Sequence, residues 1–82
     1  MVLVMYMAFE RIRALREDHD MRQVDIAKEL RMSQTGYSKY ETGENDVPTS
    51  VLIALARYYH VSVDYLLGLT NNPEPYPDKE YD

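Results

Sequence analysis

Four side chains in this sequence could carry chemistry together: Gln34, Thr35, Ser38 and Lys39, inside the stretch RQVDIAKELRMSQTGYSKY from Arg22 to Tyr40. Their spacing puts them on one face of a helix. A Gln amide forms a paired hydrogen bond with N6 and N7 of adenine, Thr offers its hydroxyl or methyl to thymine, and Lys reaches a guanine edge or a phosphate. The face has no apolar member, and on spacing alone a solvated helix surface fits it as well. Its frame is more informative. Gln23 to about Leu30 reads as a short helix with Ile26, Ala27 and Leu30 on its inner side. Arg31-Met32 is a break. Ser33 is placed to cap a second short helix, whose buried face is Tyr37 and Tyr40. Two short helices joined tightly, the second polar on its outer side, imply a helix-turn-helix whose second helix reads DNA.

The remaining elements must hold that pair. A first helix is expected from about Ala8 to Asp18, with Ala8, Phe9, Ile12 and Leu15 facing inward and EDHD at 17–20 closing it. His19 reads as a loop residue. The nine apolar residues MVLVMYMAF are too few to span a bilayer, which takes about 20, and they lack the basic start and cleavage site of a secretory signal. They read as a lead-in packed on the first helix, or else as a strand or arm pairing across a dimer. Gly43, Asn45, Asp46 and Pro48 mark a loop, after which Thr49 or Ser50 would cap a fourth helix running to about Tyr59. That helix carries Val51, Leu52, Leu55 and Tyr59 on one stripe and is apolar nearly all round, as suits a central or shared helix. His60 ends it. Ser62 caps a last short helix, VDYLL, with Asp64 near its positive end, and Gly68 closes it. From Thr70 the chain reads TNNPEPYPDKEYD, with three prolines and four acidic groups. A solvated tail is the expectation, docking of Tyr76 and its prolines the alternative. The layout is all-α: a lead-in or arm at 1–7, five short helices in one domain over 8–69, and an acidic tail at 70–82.

Composition agrees with one small domain of 82 residues. The chain has no cysteine, which excludes disulfides and thiolate metal sites and fits a reducing cytoplasm. Its formal net charge is −5. Residues 1–45 hold seven basic and eight acidic groups, and residues 46–82 hold two basic and six acidic. Most of the net negative charge, −4 of −5, thus lies outside the proposed reading half. With no polybasic stripe, DNA binding would rest on few phosphate contacts and show a modest salt slope.

The segment from Arg11 to Gly68 resembles the phage repressor and Cro-like helix-turn-helix regulators. The likeness rests on an ordered set: a Gln opening helix 2, an Ala within it, the Ser before the recognition helix, the YETG ending, the Pro-led helix 4 and the VSVDYLLG close. It implies a compact five-helix, lambda repressor-like fold acting as a homodimer on double-stranded DNA. By the same resemblance Gln34, Thr35, Ser38 and Lys39 would meet base edges. Gln23 would bond a phosphate and brace Gln34, while Arg22, Ser33, Tyr37 and Asn45 would lie along the phosphates. Arg16 and Glu41 match a structural salt bridge. Tyr58, Tyr65, Leu66 and Leu69 would form the dimer face. Four departures from the pattern stand out. Arg31 stands where the turn usually has Gly, Arg22 replaces a Ser or Thr cap, Gly36 interrupts the recognition helix, and Tyr37 and Tyr40 replace smaller aliphatics, which would bring their hydroxyls to the surface.

An enzymatic reading lacks an inventory. The chain has two isolated histidines, no thiol nucleophile, no Gly-rich phosphate loop and no metal constellation, so no cofactor is expected. The competing reading is a protein-protein interaction module or antitoxin-type partner on the same scaffold, contacting its partner through the apolar N-terminus or the acidic tail.

Overall fold

The computed structural model describes residues 2–77, with side chains from Phe9 onward. Among the described residues five helices follow one another: α1 (Val2–Asp18), α2 (Gln23–Glu29), α3 (Gln34–Thr42), α4 (Thr49–Tyr59) and α5 (Val63–Leu66). No strand occurs among them. α1 begins six residues before the expected start at Ala8, because the apolar run holds no Gly or Pro to interrupt it. The strand reading of that run is therefore overturned.

Ile12 and Leu15 of α1, Ile26 and Ala27 of α2, Tyr37 and Tyr40 of α3, Leu55 and Tyr59 of α4, and Leu66 of α5 form one buried cluster. α2 packs on α3, while α1 crosses both α3 and α5. Ile12, Ile26, Tyr37, Leu55 and Leu66 are all at 0% exposure. Burial of an aliphatic side chain of this size stabilises by roughly 1.5–3 kcal/mol, so these few positions dominate the hydrophobic contribution.

Four helices end in one way. The residue after the last turn is left-handed, and the next N–H reaches back five positions: Met21 to Arg16, Met32 to Ala27, Val61 to Ala56 and Leu69 to Asp64. This closure satisfies carbonyls that a helix end would otherwise leave open. Gly68 supplies the left-handed residue once (φ 76°), but Asp20 (φ 54°), Arg31 (φ 57°) and His60 (φ 58°) do so without glycine. Arg31 thus keeps the turn geometry expected of Gly and bears its steric cost.

The N-termini are more varied. Ser33 accepts from the Gly36 N–H and Ser62 from the Tyr65 N–H, both at 3.0 Å. The expectation for α4 is corrected, since Pro48 rather than Thr49 or Ser50 is its N-cap residue, at φ −61° and ψ 153°. Proline holds that φ by its ring, and its carbonyl takes the Val51 and Leu52 N–H groups. The tail expectation is corrected too. Over residues 73–77 the chain does not leave the domain. Its Pro73 carbonyl accepts from Ser62 N–H, and the Tyr76 hydroxyl bonds the Asp64 carboxylate.

Candidate nucleic-acid interface

α3 carries the interface on its outer side. Tyr37 and Tyr40 turn inward, their rings edge to face at 6.3 Å, and Glu41 lies beside them. The opposite side is left to Gln34 and Thr35, which are exposed, and to Ser38 and Lys39, which are partly covered. The four residues singled out by spacing therefore share one accessible face. Ser33 at its head is exposed, with its oxygen engaged as the cap. Beyond its end Asn45 is exposed, and its N–H closes onto the Lys39 carbonyl at 3.2 Å.

A buried carboxylate fixes the orientation of α3. Arg16 donates to Glu41 through two nitrogens, Nε to Oε2 at 2.7 Å and Nη2 to Oε1 at 3.0 Å. A third nitrogen, Nη1, bonds the Met21 carbonyl at 2.8 Å. Gln23 Nε2 donates to Oε1 at 3.1 Å, and the Tyr37 hydroxyl donates to Oε2. The pair is well buried, at 13% side-chain exposure for Arg16 and 4% for Glu41. Burial alone would push the Glu41 carboxyl up, but the bonds from Arg16, Tyr37 and Gln23 outweigh it and hold the group below the usual range. The same carboxylate, through its hydrogen bond, keeps the Arg16 guanidinium more firmly protonated. One side chain of α3 is thereby tied to α1, to the start of α2 and to its own preceding turn.

Three assigned roles change. Tyr37 is not a phosphate contact, because its ring is at 0% exposure and its hydroxyl is spent on Glu41. Gln23 does not brace Gln34, since its amide nitrogen goes to Glu41. Leu66 is not part of an exposed dimer face, being at 0% exposure on the inner side of α5. Of its three companions, Tyr58 and Leu69 are exposed, while Tyr65 is partly covered, with the Arg11 guanidinium 3.9 Å above its ring. Ile53 is an exposed apolar residue of α4 that the sequence reading left out of that face.

Arg22 is exposed but not idle. Its guanidinium meets Asp25 at 3.0 and 3.2 Å, and its N–H donates to the same carboxylate at 2.9 Å. Asp25 thus takes over half of a cap. The guanidinium has no acceptor with which to return the bond. Hydrogen bonding to Arg22 draws the Asp25 carboxyl down. A phosphate approaching here has to share Arg22 with that carboxylate. Gly36 serves its own turn, since a Cβ there would lie 3.1 Å from Ser33 Oγ and 3.2 Å from Met32 Cε.

Five helices with a turn-linked pair and a polar second helix define a helix-turn-helix protein. The helix-turn-helix family profile matches residues 12–66, and the chain belongs to that family, the Cro/C1-type regulators. An uncharacterized HTH-type transcriptional regulator, YobD of Bacillus subtilis, is 39% identical over 66 residues, covering 80% of this chain and 59% of its own. The HTH-type transcriptional regulator ImmR of the same species is 34% identical over 59 residues, or 72% of this chain and 46% of its own. Antitoxin PezA of Streptococcus pneumoniae is 29% identical over 69 residues, 84% of this chain and 44% of its own. The chain spans about half the length of these relatives. No solved structure matches it. No helix among the described residues is long and apolar enough to cross a membrane.

Proposed function

We propose that this chain is a sequence-specific, DNA-binding transcriptional regulator that represses by occupying a pseudo-palindromic operator as a homodimer. The observation that carries this reading is α3 itself. Its inner face is locked through Tyr37 and Glu41, and its outer face presents Gln34, Thr35, Ser38 and Lys39 without an apolar member. In this reading α3 enters the major groove. Gln34 pairs with adenine, Thr35 and Ser38 read neighbouring edges, and Lys39 takes a guanine or a phosphate. Ser33, Arg22, Asn45 and the second Nε2 proton of Gln23 serve the phosphates. Two recognition helices in successive major grooves require half-sites roughly 34–36 Å apart. Tyr58, Tyr65 and Leu69 supply the dimer contact. The likeness to two proteins named as transcriptional regulators supports this reading.

Selection of bound sequences from a random duplex pool, followed by mobility shift, tests it. Each lost base contact costs about 1–3 kcal/mol, so a Gln34→Ala, Lys39→Ala double variant should bind the selected site at least ~30-fold more weakly. Unchanged binding by that variant, or equal affinity for random DNA, sinks the reading. The 29% identity to an antitoxin favours a second reading, in which the scaffold also binds a protein partner. Stable capture of one protein by a chain that shows no selective DNA binding at low salt would move the assignment there.

A further inference from the structure

The segment from Pro73 to Pro77 is held on the domain by groups that match it one for one. Its first carbonyl accepts from the Ser62 N–H at 3.3 Å. Three residues on, the Tyr76 hydroxyl donates to the Asp64 carboxylate. Pro75, Tyr76 and Pro77 form one wall of a cleft of ~530 Å³, and the other wall is Ile53, Ala56, Val61 and Val63, with Arg57 and His60 beside them. Ser62 is almost wholly buried at 4% exposure. Its N–H therefore needs the carbonyl that the tail brings.

The chemistry of the segment suits this groove and few others. Proline at every second position fixes φ and removes the N–H at 73, 75 and 77, so the backbone is extended before it docks and offers more acceptors than donors. The domain answers with one backbone donor, the Ser62 N–H, and one acceptor, the Asp64 carboxylate, for the single side-chain donor, while Pro75 and Pro77 face the apolar wall across the open cleft. A pre-extended proline-rich segment has little ordering entropy to overcome on docking. The approach is shaped locally as well. Thr70 Oγ1 accepts from Asn72 N–H and Asn72 Oδ1 from Glu74 N–H, each at 3.1 Å.

We propose that the edge of the cleft beside α4 and α5, at the Ser62 N–H and the Asp64 carboxylate, recognises an extended Pro-Glu-Pro-Tyr-Pro segment, and that its occupant is this chain's own residues 73–77, bound in cis. The tether is only a few residues long, which gives the tail an effective concentration in the millimolar range. A separate peptide of the same sequence is therefore shut out of the wild-type groove and admitted once the tail is weakened.

The test uses full-length protein and a fluorescein-labelled peptide, Asn-Asn-Pro-Glu-Pro-Tyr-Pro-Asp-Lys, read by anisotropy. The Tyr76→Ala chain should bind the probe at least ten-fold more tightly than wild type, and a probe with Ala in place of Tyr should lose that binding. Tyr76 is 61% exposed, so its truncation leaves the core intact, and an unchanged thermal melt checks this. Amide exchange at Ser62 gives an independent readout. It should be slow in wild type, faster in Tyr76→Ala, and slow again when that variant is saturated with peptide. Equal probe binding by the two chains, no binding at millimolar probe, or identical Ser62 exchange would overturn the proposal. Ser62 protection that grows with protein concentration would place the tail on a second copy and overturn the cis assignment.

Discussion

Gly43 and Phe9 are packed so closely that one methyl group between them has no room: a Cβ on Gly43 would lie 2.8 Å from Cε2 of the Phe9 ring. Gly43 is also left-handed, at φ 83°. The residue that ends the recognition helix is therefore fixed twice, by its backbone and by a ring from α1. The left-handed backbone costs a residue with a Cβ roughly 1–2 kcal/mol, and overfilling a packed contact typically costs 1–3 kcal/mol. Gly43→Ala should thus destabilise by about 2–4 kcal/mol in denaturant unfolding. Adding Phe9→Leu should recover the packing part and leave the backbone part. A loss under about 1 kcal/mol in the single variant would show that the ring moves aside freely.

The Arg16–Glu41 pair should behave as an anchor that is costly to break from one side. Removing one partner of a buried ion pair typically costs about 3–5 kcal/mol, because the other charge is left buried and unpaired. Glu41→Leu also strands the Tyr37 hydroxyl and the Gln23 amide, so the upper half of that range is expected. Arg16→Met combined with Glu41→Leu should lose clearly less than Glu41→Leu alone. The pH dependence follows from the depressed Glu41 carboxyl. Its stabilisation is whole above the ordinary glutamate value of about 4.3 and is lost as pH falls through that value and on through the lower folded one. Urea midpoints measured between pH 6 and 3 should fall in wild type and stay flatter in the double variant.

The reading head was legible because its signals are local. Ile26, Ala27, Tyr37 and Tyr40 follow from helical spacing, and Ser33 and Ser62 cap because serine accepts an N–H wherever a helix begins. What escaped depended on distant partners. Tyr37 could bury its hydroxyl only because Glu41 is inside, and Glu41 is inside because Arg16, 25 positions away, meets it there. Leu66 lies on a helix of four residues, too short for periodicity to choose its face. The tail has the composition of a solvated segment, and only Ser62 and Asp64 reveal otherwise.

Tyr59 should be improvable. Its hydroxyl is buried and has no hydrogen-bond partner among the described residues, although its ring is packed between His19 and Tyr58. An unpaired buried hydroxyl costs about 1–3 kcal/mol, so Tyr59→Phe should stabilise by roughly 1 kcal/mol in thermal or denaturant unfolding. Burial raises the Tyr59 hydroxyl well above its usual value, and burial followed by the bond to Glu41 does the same for Tyr37. Both prefer the neutral form when folded. Their contribution is whole below the ordinary tyrosine value of about 10 and declines as pH rises beyond it. Wild type should therefore lose stability steeply above pH 10, and Tyr59→Phe should soften that slope. An unchanged slope would mean that water already reaches the hydroxyl.

Arg31 separates the demands of folding from those of binding. It closes α2 at φ 57°, where a Cβ costs roughly 1–2 kcal/mol, while glycine there gives back about 0.5–1 kcal/mol through the freer unfolded chain. Arg31→Gly should therefore stabilise by about 0.5–1 kcal/mol. Yet an exposed arginine in the turn before α3 lies next to the face proposed to meet DNA, where a guanidinium bonds phosphate oxygens well. If the strained residue is kept for that purpose, the glycine variant should be more stable and bind DNA more weakly, with a log-log salt slope lower by about one. Parallel unfolding curves and salt-dependent mobility shifts on Arg31→Gly and Arg31→Lys distinguish the outcomes. Lysine should retain the salt slope and none of the stability gain. A glycine variant that gains stability and binds with the wild-type slope would leave Arg31 without a role at the phosphates.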